Sequence, residues 1–380
     1  MTIEEYRAAL AAYLDGEPAL QRWRGQHYAT VPEQLAAHAE LIRLLYDGGW
    51  NRHGWPVAAG GLGGDERYRA VLYDELSARD LPVPGPHLLL ETLGPAVTHF
   101  APHLAATYLP RFLSGEEWWG QGFSEPEAGS DLAALRSRAR RENDHYVLNG
   151  QKLWTSYGFG AARLVCLVRT GTTESRHRGL SMIMVDADAP GVTVRPIALA
   201  SGRAELAEVF LDDVRVPADR LVGAEGQGWA VAMHLLQWER GMYAWLSSTV
   251  LLSRLRALRD RLVSRASLSD GTARRLGQVY LDVVALRSRS ASTVRRLAVG
   301  ETIGPEASVD KILLATAEQG VYDAARDLLA PSVDVGGDVS AADWRAEWWY
   351  SRAATILGGS AEVQRGILAD RVLALPGERS

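Results

Sequence analysis

Phe123-Ser124-Glu125-Pro126-Glu127-Ala128-Gly129-Ser130-Asp131, followed from Asn149 by NGQKLWTS, is the stretch on which the reading of this chain turns. Taken alone, SEPEAGSD is a loop of turn residues, with Pro, Gly, Ser and Asp in close succession. Its neighbour HYVLNGQKLWTS divides into two short runs around Asn149-Gly150, which predicts a hairpin there. A second segment of strong character lies near the C-terminus, ILGGSAEVQRGILADRVLALP, from Ile356 to Pro376. Its Gly358-Gly359 pair breaks the chain, and Ser360 is placed to cap a helix that follows.

Outward from these stretches, the chain changes character twice. Residues 1–117 read as helical: PEQLAAHAELIRLLYDGG and ERYRAVLYDELSARD carry apolar residues at spacings of three and four. The Gly-rich loop Gly54–Asp65 separates them. Residues 118–217 read as β-structure, a sandwich or barrel-like domain with strands LVCLVRT, GLSMIMVDA, VTVRPIA and AEVFLDDVRV. In residues 218–380 the helical period returns in long segments that form a C-terminal bundle. The predicted fold class is therefore α+β: N-terminal helices, a central β-domain and a C-terminal helical domain.

Bulk composition excludes several functions. The 380 residues suffice for two or three domains, and 47 % apolar with 23 % charged residues is ordinary for a globular protein. A formal net charge of −5 argues against a nucleic-acid binder. The single cysteine, Cys166, rules out a disulfide framework and sits in an apolar strand-like run, where an inert thiol is expected. The nine histidines show no metal-ligand spacing, and no nucleophile elbow is present. The polar, acidic start MTIEEYRAAL has no signal-peptide pattern, and no apolar run has the length of a membrane span. A cytoplasmic location is the expectation.

The segments Phe123–Asp131, Asn149–Ser156, Leu211–Gly223 and Ile356–Pro376, in this order, resemble the acyl-CoA dehydrogenase family. The resemblance covers nearly the whole chain. It implies FAD as cofactor, with Phe123, Ser124, Gly129, Ser130, Trp154, Thr155 and Ser156 in its site. Ser124 and Ser156 would supply hydroxyls to the flavin ring. Trp154 would cover the face away from substrate. Gly129 and Ser130 would admit the pyrophosphate. Two family elements for the FAD tail depart from the pattern. Arg265 matches the Arg of an Arg-x-x-Phe-Gly segment, but the Phe-Gly is absent. VDVGGD keeps Gly336-Gly337 but places Val333 and Val339 where the family has Gln and Gly. Such departures resemble heteromeric members, whose two subunit types divide these residues.

Desaturation of an acyl thioester needs a carboxylate to remove the α-proton and a flavin to accept the β-hydride. Many members carry that carboxylate immediately before a Gly-Thr in the C-terminal segment. Here the position is Gly358, whose backbone N–H, as the resemblance implies, would still serve as a donor to the thioester oxygen. Other members place a Glu-Arg pair on the first long helix of the C-terminal domain, and HLLQWERGMYAW puts Glu239-Arg240 there. Glu239 is the candidate base. Arg240 either orients it or caps a surface.

The resemblance further implies an acyl-CoA or acyl-carrier-protein thioester as substrate and an electron-transfer flavoprotein or similar acceptor. It implies a homodimer, a homotetramer or a heteromer with a related subunit. A flavin monooxygenase or oxidase on the same fold, and a non-catalytic subunit of a heteromer, are the competing readings.

Overall fold

A computed structural model describes residues 1–265, 268–335 and 339–376, so the Gly336-Gly337 pair lies outside the described residues. Five helices come first: α1 (Ile3–Gly16), α2 (Val31–Asp47), α3 (Glu66–Ala78), α4 (His87–Phe100) and α5 (Pro102–Leu113). Eight strands follow: β1 (Trp119–Gly122), β2 (Arg138–Glu142), β3 (His145–Ser156), β4 (Arg163–Arg169), β5 (Leu180–Asp186), β6 (Val192–Ile197), β7 (Leu206–Pro217) and β8 (Leu221–Val222). The chain then returns to helix in α6 (Gly228–Ser264), α7 (Asp270–Ala298), α8 (Ser308–Leu329), the short α9 (Ser332–Val335), α10 (Val339–Ser351) and α11 (Ala361–Arg371).

The strands run in the order β6-β7-β3-β2-β4-β5-β8, with β1 parallel to β4. Between β2 and β4 the ladder narrows to one pair, Arg138 opposite Arg169. Two lobes therefore hang on a thin seam, and their inward faces meet in one apolar cluster that includes Leu148, Cys166, Ile183 and Val209. Alternation along each strand sends these side chains inward. Cys166 is fully buried, and burial pushes its thiol up to about 11, so it is inert at neutral pH.

The expected hairpin at Asn149-Gly150 does not form. β3 runs through that pair as one strand, and its register against β7 shifts between Leu148 and Gly150. The reversal comes earlier: Glu142 pairs with His145, so Asn143-Asp144 is the turn, with Asn143 in the left-handed region at φ 55°. Asn tolerates that conformation as the hairpin turn requires. Asn149 instead braces the bulge, its Nδ2 donating to Asp213 Oδ1 at 2.9 Å and its Oδ1 accepting from Asp213 N at 3.0 Å.

Helix α6 is the axis on which the site is built. Its 37 residues make it about 55 Å long. Gly228 opens it flat against β5: a Cβ there would stand 2.5 to 2.7 Å from the Ser181 backbone. From that contact the helix runs into the bundle, where Leu251, Leu258 and Leu262 pack with α7 and α8 residues such as Val279, Val283 and Val321. α11 begins as predicted, Ser360 Oγ accepting from Val363 N at 3.3 Å.

Candidate active site

Leu153 N donates to Ser124 O at 2.9 Å and ties the end of β1 to the end of β3. This bond brings the two segments of the opening motif side by side. A second bulge, between Lys152 and Thr155, throws Trp154 into the left-handed region at φ 65° and leaves it 47 % exposed. Bulges re-aim side chains in this way beside functional sites. Ser124 and Ser156 are half-buried, and among the described residues no hydrogen bond engages either hydroxyl. Two unengaged hydroxyls beside an uncovered indole fit a flavin ring. Gly129 and Ser130 lie exposed on the following loop, and a Cβ at Gly129 would meet nothing within 4 Å. That open backbone fits the phosphates.

Two members of the expected set turn the other way. Thr155 is fully buried, its methyl packed where Gly120 and Gly158 come close, so it offers no surface to a cofactor. Phe123 is 6 % exposed and packs in the core with Trp119 and Ala128. In both cases the side chain faces inward from the strand and its extension. Arg265 is also distant. It ends α6, 26 residues after Glu239, which at the rise of an α-helix is about 39 Å. It cannot touch a flavin bound at Ser124 and Ser156 of its own chain. Val333, in the other departing segment, is buried in the bundle core.

The loop is held from beneath by Lys152, which is fully buried. Its Nζ donates to Glu125 Oε1 at 2.7 Å, to Leu167 O at 2.6 Å and to Phe123 O at 3.3 Å. Glu125 also accepts from Arg136 N at 2.6 Å and Ser137 N at 2.9 Å. Burial pushes the Glu125 carboxyl up, but Lys152 and these bonds outweigh it and hold the group below the usual carboxylate range. Lys152→Met should strand the Glu125 charge and destabilise the protein by about 3–5 kcal/mol. It should also cost the protein its flavin. Denaturant midpoints and flavin content of the purified variant check both, and an unchanged midpoint would refute this role.

Glu239 of α6 and Gly358 meet. Gly358 has φ 65°, and a Cβ on it would stand 2.2 Å from Glu239 Oε1 and 3.4 Å from Lys311 Cε. The two alternative base positions thus converge on one place, and the carboxylate fills the room left by the missing side chain. Burial pushes the Glu239 carboxyl above its usual range, against the opposing pull of Arg240, Lys311 and a hydrogen bond from Gln121. Lys311, on α8, is itself buried, and its Nζ donates to Ala354 O at 2.5 Å. It anchors the turn that leads to Gly358. Arg240 is half-buried, and among the described residues its Nε has no hydrogen-bond partner.

Gln121 and Lys311 were absent from the expected site. Gln121 lies on β1 only three residues before Ser124, and Lys311 is a lone cation within VDKILL. A lysine in an otherwise apolar helical stripe is the one local signal that was available for it. Among the described residues no group of His, Cys, Asp and Glu is disposed to hold a metal, and no helix is long and apolar enough to cross a membrane.

The architecture is that of an acyl-CoA dehydrogenase, as comparison with known proteins shows. Residues 120–214 match the family model for the acyl-CoA dehydrogenase middle domain, and residues 226–373 that for the acyl-CoA dehydrogenase C-terminal domain. The chain belongs to the acyl-CoA dehydrogenase family, whose members are generally FAD-dependent oxidoreductases. It is 37 % identical to the acyl-CoA dehydrogenase IpdE1 of Mycobacterium tuberculosis, over 99 % of this chain and 98 % of the relative. Among solved structures it is similar to the Tcur3481-Tcur3483 steroid ACAD, with a TM-score of 0.82, 28 % identity and coverage of 100 % and 98 %. It is also similar to the ChsE4-ChsE5 complex from Mycobacterium tuberculosis, with a TM-score of 0.80, 27 % identity and coverage of 99 % and 98 %.

Proposed function

We propose that this chain desaturates an acyl thioester between Cα and Cβ, with Glu239 removing the α-proton. The observation that carries the reading is the meeting of Glu239 Oε1 with the bare Cα of Gly358, since it puts a carboxylate where either type of base would act. Gln121 strengthens it. Its side chain favours the ionised form of Glu239, and it precedes Ser124 by three residues, a span of at most about 11 Å. A thioester therefore fits between the carboxylate and the flavin-facing hydroxyls. FAD, when bound by Ser124, Ser130, Trp154 and Ser156, supplies the acceptor for the β-hydride. The Gly358 N–H would polarise the thioester carbonyl and so acidify the α-proton. The presence of a base favours a dehydrogenase over an oxidase or monooxygenase on this fold. The test is anaerobic bleaching of the yellow protein by acyl-CoA and by acyl-carrier-protein thioesters. Bleaching by neither, with flavin retained, would sink the reading.

The pH dependence follows from the site's charges. Glu239 must be ionised to accept a proton, so kcat/KM rises with pH through its raised pKa. The acid limb should lie above the ordinary glutamate value of about 4.3. Lys311→Met removes a cation that favours the ionised form and should move the limb to higher pH. A limb that stays in place in this variant would remove Lys311 from the electrostatics of the base.

For assembly, we propose a two-fold oligomer in which a neighbouring subunit completes the FAD-tail site. Arg265 is too far from its own flavin-facing residues to contribute there. Two of the similar structures carry paired subunit names, which favours a heteromer with a related chain. Ile356, Leu373 and Leu375 are exposed near the C-terminus, as an interface would leave them. Sedimentation of the chain alone and with such a partner, with flavin content measured in each, distinguishes the arrangements. An electron-transfer flavoprotein is the proposed acceptor.

A further inference from the structure

Two attachments along α6 join the β-domain to the C-terminal bundle. The first is at the helix start, where Gly228 lies on Ser181 and Gly226 N donates to Ser181 Oγ at 2.9 Å. The second is a cluster of ion pairs at Arg254, 26 residues further along, which at the rise of an α-helix is about 39 Å. Glu239 lies between them, 11 residues after Gly228 and 15 before Arg254.

Arg203, in the segment between β6 and β7, is the centre of that cluster. Its Nη2 donates to Asp343 Oδ1 at 2.9 Å and its Nη1 to Glu347 Oε1 at 2.7 Å, two acids one turn apart on α10. Nη1 also reaches Glu205 Oε1 at 3.4 Å. Arg254 Nη2 stands 2.7 Å from Asp343 Oδ2 and 3.8 Å from Glu347 Oε1, so α6 joins the same pair of acids. His27, from the stretch between α1 and α2, stands 3.9 Å from Asp343 Oδ2. Burial pushes the Asp343 carboxyl up, but Arg254 and Arg203 outweigh it and hold the group below the usual carboxylate range.

The cluster also holds the end of β3, the strand that carries Ser156. Glu205 O accepts from Tyr157 N at 2.7 Å, and Tyr157 follows Ser156. On the other side, α10 ends at Ser351, seven residues before Gly358. An attachment at Gly228 alone would leave the β-domain free to rock about that contact, and a second one fixes the angle.

We propose that Arg203 is a positioning residue: by tying β3 to α10 and α6 it sets the gap between Ser156 and Glu239, and so the alignment of thioester and flavin. The inference rests on Glu239 as the base and on Ser156 beside the flavin. The planar fork of an arginine spans both acids of α10 at once, which a single ammonium does not.

The test uses the purified holoenzyme, with its partner subunit where the assembly contains one. Arg203→Met should bleach with acyl-CoA about 100-fold more slowly, since a misplacement of about 1 Å at reacting groups costs that much. The thioester concentration that gives half the limiting rate should change little, and Arg203→Lys should recover part of the rate. Arg203→Met also strands charge and should lower the denaturant midpoint. Adding Glu347→Gln leaves Asp343 paired with Arg254, so the midpoint should recover in part while the rate stays low. A wild-type rate in Arg203→Met, or a rate that recovers with the midpoint, overturns the proposal. Geometry is read apart from chemistry by pulsed electron resonance between spin labels on Asp212→Cys and Arg256→Cys, two exposed positions, since the native Cys166 is buried and stays unlabelled. Arg203→Met should broaden that distance distribution, and an unchanged distribution also overturns the proposal. A broadened distribution in a protein that no acyl-CoA bleaches would instead count against the dehydrogenase reading and leave the role of Arg203 in setting the gap standing.

Discussion

Glu239→Gln should fold, retain its flavin and lose roughly 10²–10⁴-fold in the rate of thioester-dependent flavin reduction. The change is isosteric, and glutamine is a good helix former, so α6 should be undisturbed. An amide cannot accept the α-proton. No second carboxylate stands against Gly358, because the room beside that residue is filled by Glu239 itself. Of the acids on α8, Asp310 is held by Arg289 Nε at 3.0 Å and by Thr293 Oγ1 at 3.1 Å, and Glu318 lies two turns beyond Lys311. Anaerobic stopped-flow measurement of flavin bleaching checks the loss. A variant that bleaches at the wild-type rate would show that Glu239 is not the base, and the oxidase or partner-supplied readings would gain.

Gly358 should be nearly as intolerant, for a steric reason. Gly358→Ala forces a side chain into the left-handed region, at a cost of about 1–2 kcal/mol. Its Cβ would also stand 2.2 Å from Glu239 Oε1 and must push the carboxylate aside. A displacement of about 1 Å at a reacting group costs on the order of 10²-fold. Gly358→Ala should therefore fold with a lowered midpoint, keep its flavin and bleach about 100-fold more slowly. The same geometry decides whether a base can be moved across. Gly358→Glu combined with Glu239→Gln should recover nothing, since the glutamine still fills the space. Gly358→Glu combined with Glu239→Ala clears that space and should recover part of the activity. Equal rates in the two double variants would contradict the convergence of the two positions.

Much of this protein was legible in its residues. The strands LVCLVRT and GLSMIMVDA and the 37-residue helix beginning at Gly228 follow from short-range periodicity, which depends on burial and on backbone sterics within a few residues. The candidate flavin hydroxyls of Ser124 and Ser156 and the candidate base Glu239 came from motif and offset. The misplaced hairpin shows where local rules stop. Asn149-Gly150 and Asn143-Asp144 are both credible turns, and pairing of β3 along its whole length with β7 decided between them.

By itself, then, the sequence determined the helix–strand–helix order and pointed to the candidate cofactor segments and the candidate base. The tertiary structure alone decided which side chains of those segments face outward. A bulge at Trp154 presents the indole and Ser156, while the alternation beside it buries Thr155. Tertiary packing also brought Glu239 of α6, Lys311 of α8, Gln121 of β1 and Gly358 to one point. The physical reason is that this meeting depends on the docking of Gly228 against Ser181 and on the bundle contacts that fix α6 beside α8. Those contacts join residues far apart in the chain, and no local period encodes them.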